Sequence, residues 1–331
     1  MKLSGEIIIL EKPGKIKFKP TEIDTKKIKP SEIVAKTIFS AISPGTETAA
    51  YSGSPSLRPG KTYPRLLGYC NVATVIAVGK NIKSVKPGSL ILTGESHRSI
   101  FIIEEKNIIA KVPKNIDPKL ATLTYLYNLG LTSLQTIRLK TGTDVAVIGL
   151  GALGLGAVEV ASALGFHPLA LSNSPHKLKL AQTIGAQKTY LKSDNKKLDG
   201  SADLTVTTSN SWEDWELALR ITKDRGIICV LGFPGRGMPL PKFNPLEPKY
   251  FYDKKITIAP VGIALGQTRP KNDFSAIQKN CNKILKLISG EKIDPTNLIS
   301  GIYDYRDIEQ AYNQLLSKDQ KSITYILKWP K

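Results

Sequence analysis

The spacing of apolar positions changes once along the chain. Up to about residue 110 they come in short runs, EIIIL, IVAKTIF, VATVIAVG, SLILTG and FIIEE, separated by Pro, Gly and Lys. Short runs of branched and aromatic residues between turn formers predict strands, so this part is β-rich. From about residue 118 the pattern becomes strand and helix in alternation. A helical stretch is expected over Lys119–Leu139, followed by strands at DVAVI, PLALS, KTYL, ADLTVTT, GIICVLGF and KKITIAPVG. Helices are expected after the first of these, around Leu178–Ile184 and over Trp212–Ile221. Such alternation predicts an α/β fold, a doubly wound parallel sheet covered on both faces. Beyond residue 265 come a capped helix from Asp273 to its stop at Gly290, a helix over Ile308–Leu316 and a last strand, SITYILKW. The expected division is a β-rich domain of residues 1–122 completed by 264–331, with the α/β domain of 123–263 between.

The sharpest chemistry lies at Asp144–Gly156, DVAVIGLGALGLG. A strand (Val145, Ala146, Val147, Ile148) runs into Gly149, Gly151 and Gly154, spaced G-x-G-x-x-G. Leu155, Val158, Ala161 and Leu164 then mark a helix stripe. In this context Gly149 serves the turn, Gly151 lets the backbone approach a pyrophosphate, and Gly154 lets helix and strand pack closely. The helix start offers N–H groups and a positive dipole end to phosphate. A dinucleotide site follows.

Composition narrows the partners. The apolar stretch Val145–Phe166 contains Glu159 and many glycines, which argues against a membrane span. The opening MKLSGEIIIL has too short an apolar run for a signal peptide, so a cytoplasmic location is expected. The net charge of +19 raises nucleic acid as a partner. Its lysines are spread through every segment rather than clustered, which argues against a binding stripe. Cys70, Cys229 and Cys281 form no C-x-x-C pair, so neither a disulfide framework nor a structural zinc site is expected. Cys229 and Cys281 read as core residues. His97, His167 and His176 lack partners at metal spacing and are expected at the surface.

Five strings in order resemble the medium-chain dehydrogenase/reductase (alcohol dehydrogenase-like) superfamily: ISPGTETAAYSG, YPRLLGYCNVATVIAVG, LGLTSLQT with the glycine motif, SPHKLKLAQTIGA and YDYRDIEQAYNQLL. The resemblance covers nearly the whole chain and implies a GroES-like catalytic domain beside a Rossmann domain. It also exposes departures. Pro44 stands where zinc-dependent members have a ligand cysteine, Tyr69 and Cys70 where they have the histidine and glutamate of G-H-E, and Asn128 near the third ligand. The four-cysteine lobe is missing. A catalytic zinc needs three protein ligands and an open position, so the expectation is no metal. Ser-Pro-Gly-Thr-Glu and Gly-Tyr at these places resemble the zinc-free branch containing the hydroxyethyl bacteriochlorophyllide dehydrogenases.

The cofactor can be read further. About 20 residues past the glycines, where an NAD enzyme usually has Asp or Glu for the ribose 2′-OH, this chain has Ser172, Asn173 and Ser174, with Lys177 one turn on. Hydroxyls, an amide and an ammonium suit a 2′-phosphate, so NADP(H) is expected. Ser174-Pro175 also reads as a plain helix start. Thr207, Leu231, Gly232 and Phe233 end parallel strands on the ligand side, and the resemblance implies that they line the nicotinamide end, with Thr132 beside the ring.

Without zinc, a hydroxyl must polarise the carbonyl or donate the proton. The resemblance makes Thr46 the first candidate, as the family's proton-relay hydroxyl. Tyr69, in place of a zinc-ligand histidine, is the second, and Tyr51 the third. Glu47 reads as a brace for the loop. The expectation is a zinc-independent NADP(H)-dependent oxidoreductase moving a hydride to or from a carbonyl, alcohol or activated double bond of a small molecule. Two alternatives stay open: a tetrapyrrole side-chain dehydrogenase, and a non-catalytic nucleotide-binding protein with an RNA or partner surface. The apolar strand KKITIAPVG near the sheet end is a pairing template, and a homodimer is expected.

Overall fold

The strand Glu32–Ala41 organises the N-terminal part of the molecule. It pairs antiparallel with Cys70–Val78, with Ile100–Glu104 and with Thr324–Lys328 from the far end of the chain. Parallel pairing of Thr324–Lys328 with Ile299–Asp304, and antiparallel pairing of Cys70–Val78 with Leu90–Thr93 and then Ala110–Lys111, complete a seven-stranded sheet. A second sheet of three strands joins Lys15–Asp24, Lys2–Lys12 and Arg65–Leu66. Ile8, Leu10, Ile42, Tyr312, Leu327 and Trp329 lie in one buried cluster, so the two chain ends share a core.

The computed structural model describes residues 1–56, 62–136, 140–261, 271–317 and 321–330, which divide into two compact units. One comprises Met1–Tyr125, Ala264–Glu291 and Ile299–Lys331; the other comprises Leu126–Ile263 and Lys292–Leu298.

The second unit is built on a six-stranded parallel sheet. Its order is Lys188–Leu191, His167–Ser172, Asp144–Ile148, Ala202–Thr207, Thr222–Val230 and Thr257–Pro260. Counted along the chain, that is 3-2-1-4-5-6, the dinucleotide-binding order. Asp144–Ile148 is central, and Val145 to Ile148 are fully buried, as both-face coverage requires. The helix Ala152–Ala163 is buried nearly all round, Leu155, Val158 and Ala161 completely. Its one carboxylate, Glu159, accepts hydrogen bonds from the Tyr127 hydroxyl at 2.5 Å and the Asp294 N–H at 2.6 Å. Burial pushes this carboxyl upward, while the two bonds pull it back. Lys292–Leu298 is thereby tied to the helix Ala152–Ala163 of its own unit.

Three expectations change. The helix expected over Lys119–Leu139 is two helices, Pro118–Ala121 and Thr124–Leu134. Asp117 caps the first, and the Thr122 hydroxyl donates to the Lys119 carbonyl and tightens the turn between them; residues 137–139 lie outside the described residues. The strand expected over Lys254–Gly262 is the shorter Thr257–Pro260, with Gly262 outside the described residues. His97 is not at the surface but completely buried. Cys281 does pack on an apolar helix face with Ile277, Ile284 and Ile288. Among the described residues no helix is long and apolar enough to cross a membrane.

Candidate active site

The glycine turn is made by backbone geometry. Gly149 follows the central strand with φ +89°, the left-handed region that favours glycine. Gly151 N-caps the helix, and a Cβ built there meets nothing within 4 Å. A Cβ on Gly154 would lie 1.9 Å from the Gly149 carbonyl oxygen. The three glycines thus have different reasons: backbone turn, open space outside the helix start, and close packing. The Thr208 hydroxyl holds the turn by donating to the Gly149 carbonyl at 2.8 Å. Sequence reasoning missed Thr208, although it adjoins Thr207 at the end of a parallel strand.

The neighbouring strand ends converge on this turn. The N–H groups of Leu231 and Gly232 both donate to the Thr207 carbonyl, at 2.9 and 3.0 Å. A Cβ on Gly232 would sit 2.3 Å from the Ser209 carbonyl oxygen. Thr207 is buried, and among the described residues its Oγ1 has no hydrogen-bond partner. Phe233 is half-exposed and donates its N–H to Asn210 Oδ1. Thr132 lies on the helix Thr124–Leu134 with its hydroxyl on the Asn128 carbonyl at 2.8 Å.

At the end of the second strand, Ser172 is buried and its Oγ accepts the Ser174 N–H at 3.1 Å. Asn173 is exposed. Ser174 caps the helix Pro175–Thr183 by accepting the Lys177 N–H at 3.4 Å, with Pro175 at the first helical position. The helix-start reading of Ser174-Pro175 therefore describes its geometry, and the stretch Leu171–Lys177 carries no carboxylate.

The β-rich unit holds a different kind of site. Ser43 precedes the helix Pro44–Tyr51 in extended conformation, yet its side chain makes no capping bond. The Glu47 carboxylate compensates, accepting the Ser43 N–H through Oε1 at 2.7 Å. It resembles a capping box displaced by one residue, and it leaves the Ser43 hydroxyl for the Tyr69 phenol, which donates to it. Tyr69 Oη also reaches Thr46 Oγ1 at 3.4 Å, and its ring meets Tyr125 edge-on at 5.5 Å. The structure thus brings Thr46 and Tyr69 together and adds Ser43. Tyr51 lies instead in the core, its ring 5.0 Å from that of Tyr312. Burial pushes the Tyr69 phenol well up, reinforced by Cys70 and Glu47 and opposed by the Ser43 and Thr46 bonds. It stays a neutral donor across the physiological range.

Beneath this cluster runs a buried polar chain. Glu47 Oε2 accepts from the Tyr312 hydroxyl at 2.7 Å and pairs with His97 Nε2 at 2.8 Å. His97 Nδ1 lies 2.9 Å from Ser40 Oγ, which accepts the Trp329 indole N–H at 2.9 Å. His97 is buried because these partners satisfy it. Cys70 is fully buried, and burial pushes its thiol well up. Asn128 is also buried.

The family description "Zinc-binding dehydrogenase" matches residues 152–282. The chain is 22% identical to an uncharacterized zinc-type alcohol dehydrogenase-like protein, YdjJ, of Escherichia coli (strain K12), across 97% of each chain. It is 31% identical to the NADP-dependent alcohol dehydrogenase C 1 of Mycolicibacterium smegmatis, across 53% of this chain and 50% of that one. Among solved structures, L-idonate 5-dehydrogenase from Escherichia coli superposes with a TM-score of 0.81 at 16% identity, covering 99% of both chains. Together with the 3-2-1-4-5-6 sheet and the glycine turn, these likenesses give the chain the fold of the medium-chain dehydrogenases and make it similar to zinc-type, alcohol-dehydrogenase-like oxidoreductases.

Proposed function

We propose that the protein is a zinc-independent, NADP(H)-dependent oxidoreductase that moves a hydride to or from a carbonyl, alcohol or activated double bond of a small molecule. The observation that carries the reading is the hydroxyl cluster of Ser43, Thr46 and Tyr69, in which Tyr69 takes the place the family resemblance gives to a metal-ligand histidine and Thr46 that of the proton-relay hydroxyl.

A nicotinamide dinucleotide fits the residues present. Gly151 leaves open space at a helix start, and Thr207 Oγ1 is a buried hydroxyl still lacking a partner among the described residues. Ser172, Asn173, Ser174 and Lys177, with no carboxylate among them, suit a 2′-phosphate. The relative named NADP-dependent, matched over half of its length, supports the same choice. Zinc does not fit. Pro44 has no donor, Asn128 is a neutral amide, and the Cys70 thiol is held protonated by burial, whereas zinc binds thiolate. Among the described residues no group of three His, Cys, Asp or Glu side chains could hold a metal ion.

NADP(H), when bound, supplies or takes the hydride. The protein's own part is proton handling and polarisation. Tyr69 Oη, kept neutral by burial, can donate to a substrate oxygen, and Thr46 Oγ1 is close enough to share that oxygen. Ser43 accepts from Tyr69 in the resting state and orients the phenol. Among the described residues the Thr257–Pro260 strand ends the parallel sheet; such an edge is a pairing template, and a homodimer joined there should show twice the chain mass in light scattering.

Fluorescence titration with NADPH and NADH, then a panel of carbonyl and enone substrates with and without chelator, tests the reading. Tight NADPH binding and chelator-resistant turnover are expected. Equal affinity for NADH, or one firmly held zinc per chain, would overturn it.

A further inference from the structure

We propose that His97 is the positioning residue of the hydroxyl cluster, one imidazole holding both turns that carry it. The proposal rests on the reading of Tyr69 and Thr46 as the proton-handling groups.

The first turn is held through Nε2. It pairs with Glu47 Oε2 at 2.8 Å, and the other oxygen of the same carboxylate takes the Ser43 N–H at 2.7 Å. Ser43 and Thr46 therefore hang from a carboxylate whose orientation His97 and Tyr312 set.

The second turn is held through the ring face. Gly68, immediately before Tyr69, has φ +84°, and a Cβ there would lie 2.7 Å from the His97 ring atoms Cγ, Cδ2 and Cε1. The imidazole thus lies flat against the backbone that aims Tyr69. The His97 N–H donates to the Leu67 carbonyl at 2.7 Å, tying the same turn from behind.

Ser40 orients the ring. Having accepted the Trp329 indole N–H, its hydroxyl has its own proton for His97 Nδ1, which leaves Nε2–H to donate to Glu47. Both ring nitrogens then have a partner. His97 touches neither Tyr69 Oη nor Thr46 Oγ1 through any of these bonds, so it acts through Glu47 and Gly68. Rotatable hydroxyls hold a productive geometry only where their supports are locked by packing and further hydrogen bonds.

The full-length protein labelled with 3-fluorotyrosine provides the test, with the Tyr69 fluorine resonance assigned by its loss in Tyr69→Phe. In His97→Ala that resonance should move or split, while circular dichroism and NADPH titration match the parent, and added imidazole should restore it. The kcat for NADPH-dependent reduction of aldehydes should fall about ten- to a hundredfold with KM little changed, and imidazole should recover part of it. If His97→Ala does not fold, His97→Asn should shift the same resonance less. In the unmodified protein the clamp also requires a slowly exchanging imidazole Nε2–H. A folded His97 variant with an unmoved Tyr69 resonance, or a rapidly exchanging ring proton, overturns the proposal. If Tyr69→Phe keeps full turnover, the catalytic reading fails, yet the fluorine result still decides what His97 does.

Discussion

The glycine turn and the hydroxyl cluster are built by opposite means. The turn is backbone: a left-handed glycine, an open helix start and a contact that only a missing Cβ permits, all within Gly149–Gly154. The cluster is side chain: Tyr69, Ser43 and Thr46 stand on Glu47, His97 and Tyr312, and the Glu47 partners lie 50 and 265 residues away in sequence. A backbone site tolerates change in its neighbours but not at its glycines. A side-chain site is adjustable at every member and depends on all of them.

Substitutions can break this contrast, and the largest effect is expected at the cluster. Tyr69→Phe removes one oxygen and should lower kcat by about 10²–10⁴-fold, the range for a lost general acid, with NADPH affinity unchanged by fluorescence titration. An equal loss in both quantities would mean that Tyr69 is structural.

Next come the glycines. Gly154→Ala forces its methyl against the Gly149 carbonyl, a strain of about 1–3 kcal/mol, so NADPH binding and thermal stability should fall together. Gly151→Ala should leave Tm as in the parent and still weaken NADPH, because its Cβ enters empty space. If Gly151→Ala binds NADPH normally, the pyrophosphate does not lie there.

Ser172→Asp sets a charge against the 2′-phosphate and offers a partner to a free 2′-OH. A charge-assisted contact of roughly 1.5–3 kcal/mol corresponds to about a ten- to hundredfold fall in the NADPH over NADH preference. Ratios of dissociation constants measured on both proteins decide it, and an unchanged ratio would leave Ser172 a turn residue only.

The smallest effect concerns pH. Burial raises the folded pKa of Glu159 above its ordinary value of 4.5. The folded state then holds this proton more tightly than the unfolded chain, so its contribution to stability declines as pH rises from about 4.5 through the raised value. Glu159→Gln cannot titrate and should lack that decline. The Tm difference between variant and parent should grow toward neutral pH, and a constant difference would show that Glu159 is ionised without penalty.

Legibility in the sequence followed the same division. The glycine spacing, the strand before it, the helix after it and the alternation that makes a parallel sheet are local, and each appears as expected in the second unit. Thr46 and Tyr69 could be named from resemblance, but that they share a hydrogen bond could not, since 23 residues separate them. His97 read as a surface residue because its partners are Ser40, Glu47 and the backbone of Gly68, none of them at a recognisable spacing. Ser43 had a signal that was overlooked, a glutamate four residues on that takes over its capping duty. Tyr51 shows the reverse error: proximity in sequence to Thr46 says nothing about direction, and its ring faces Tyr312.

The strand Thr324–Lys328 has a consequence for biosynthesis. It pairs with Glu32–Ala41, and Trp329 just beyond it hydrogen-bonds Ser40 across 289 residues of chain. A nascent chain emerges N-terminus first. The Phe39–Ala41 end of the strand around which the β-rich unit is organised therefore waits unpaired on one edge until residues 326–328 have been made. That unit cannot complete its pairing before residues 326–329 emerge. Loss of Trp329 would be felt first at Ser40 and His97, beneath the hydroxyls of Ser43, Thr46 and Tyr69.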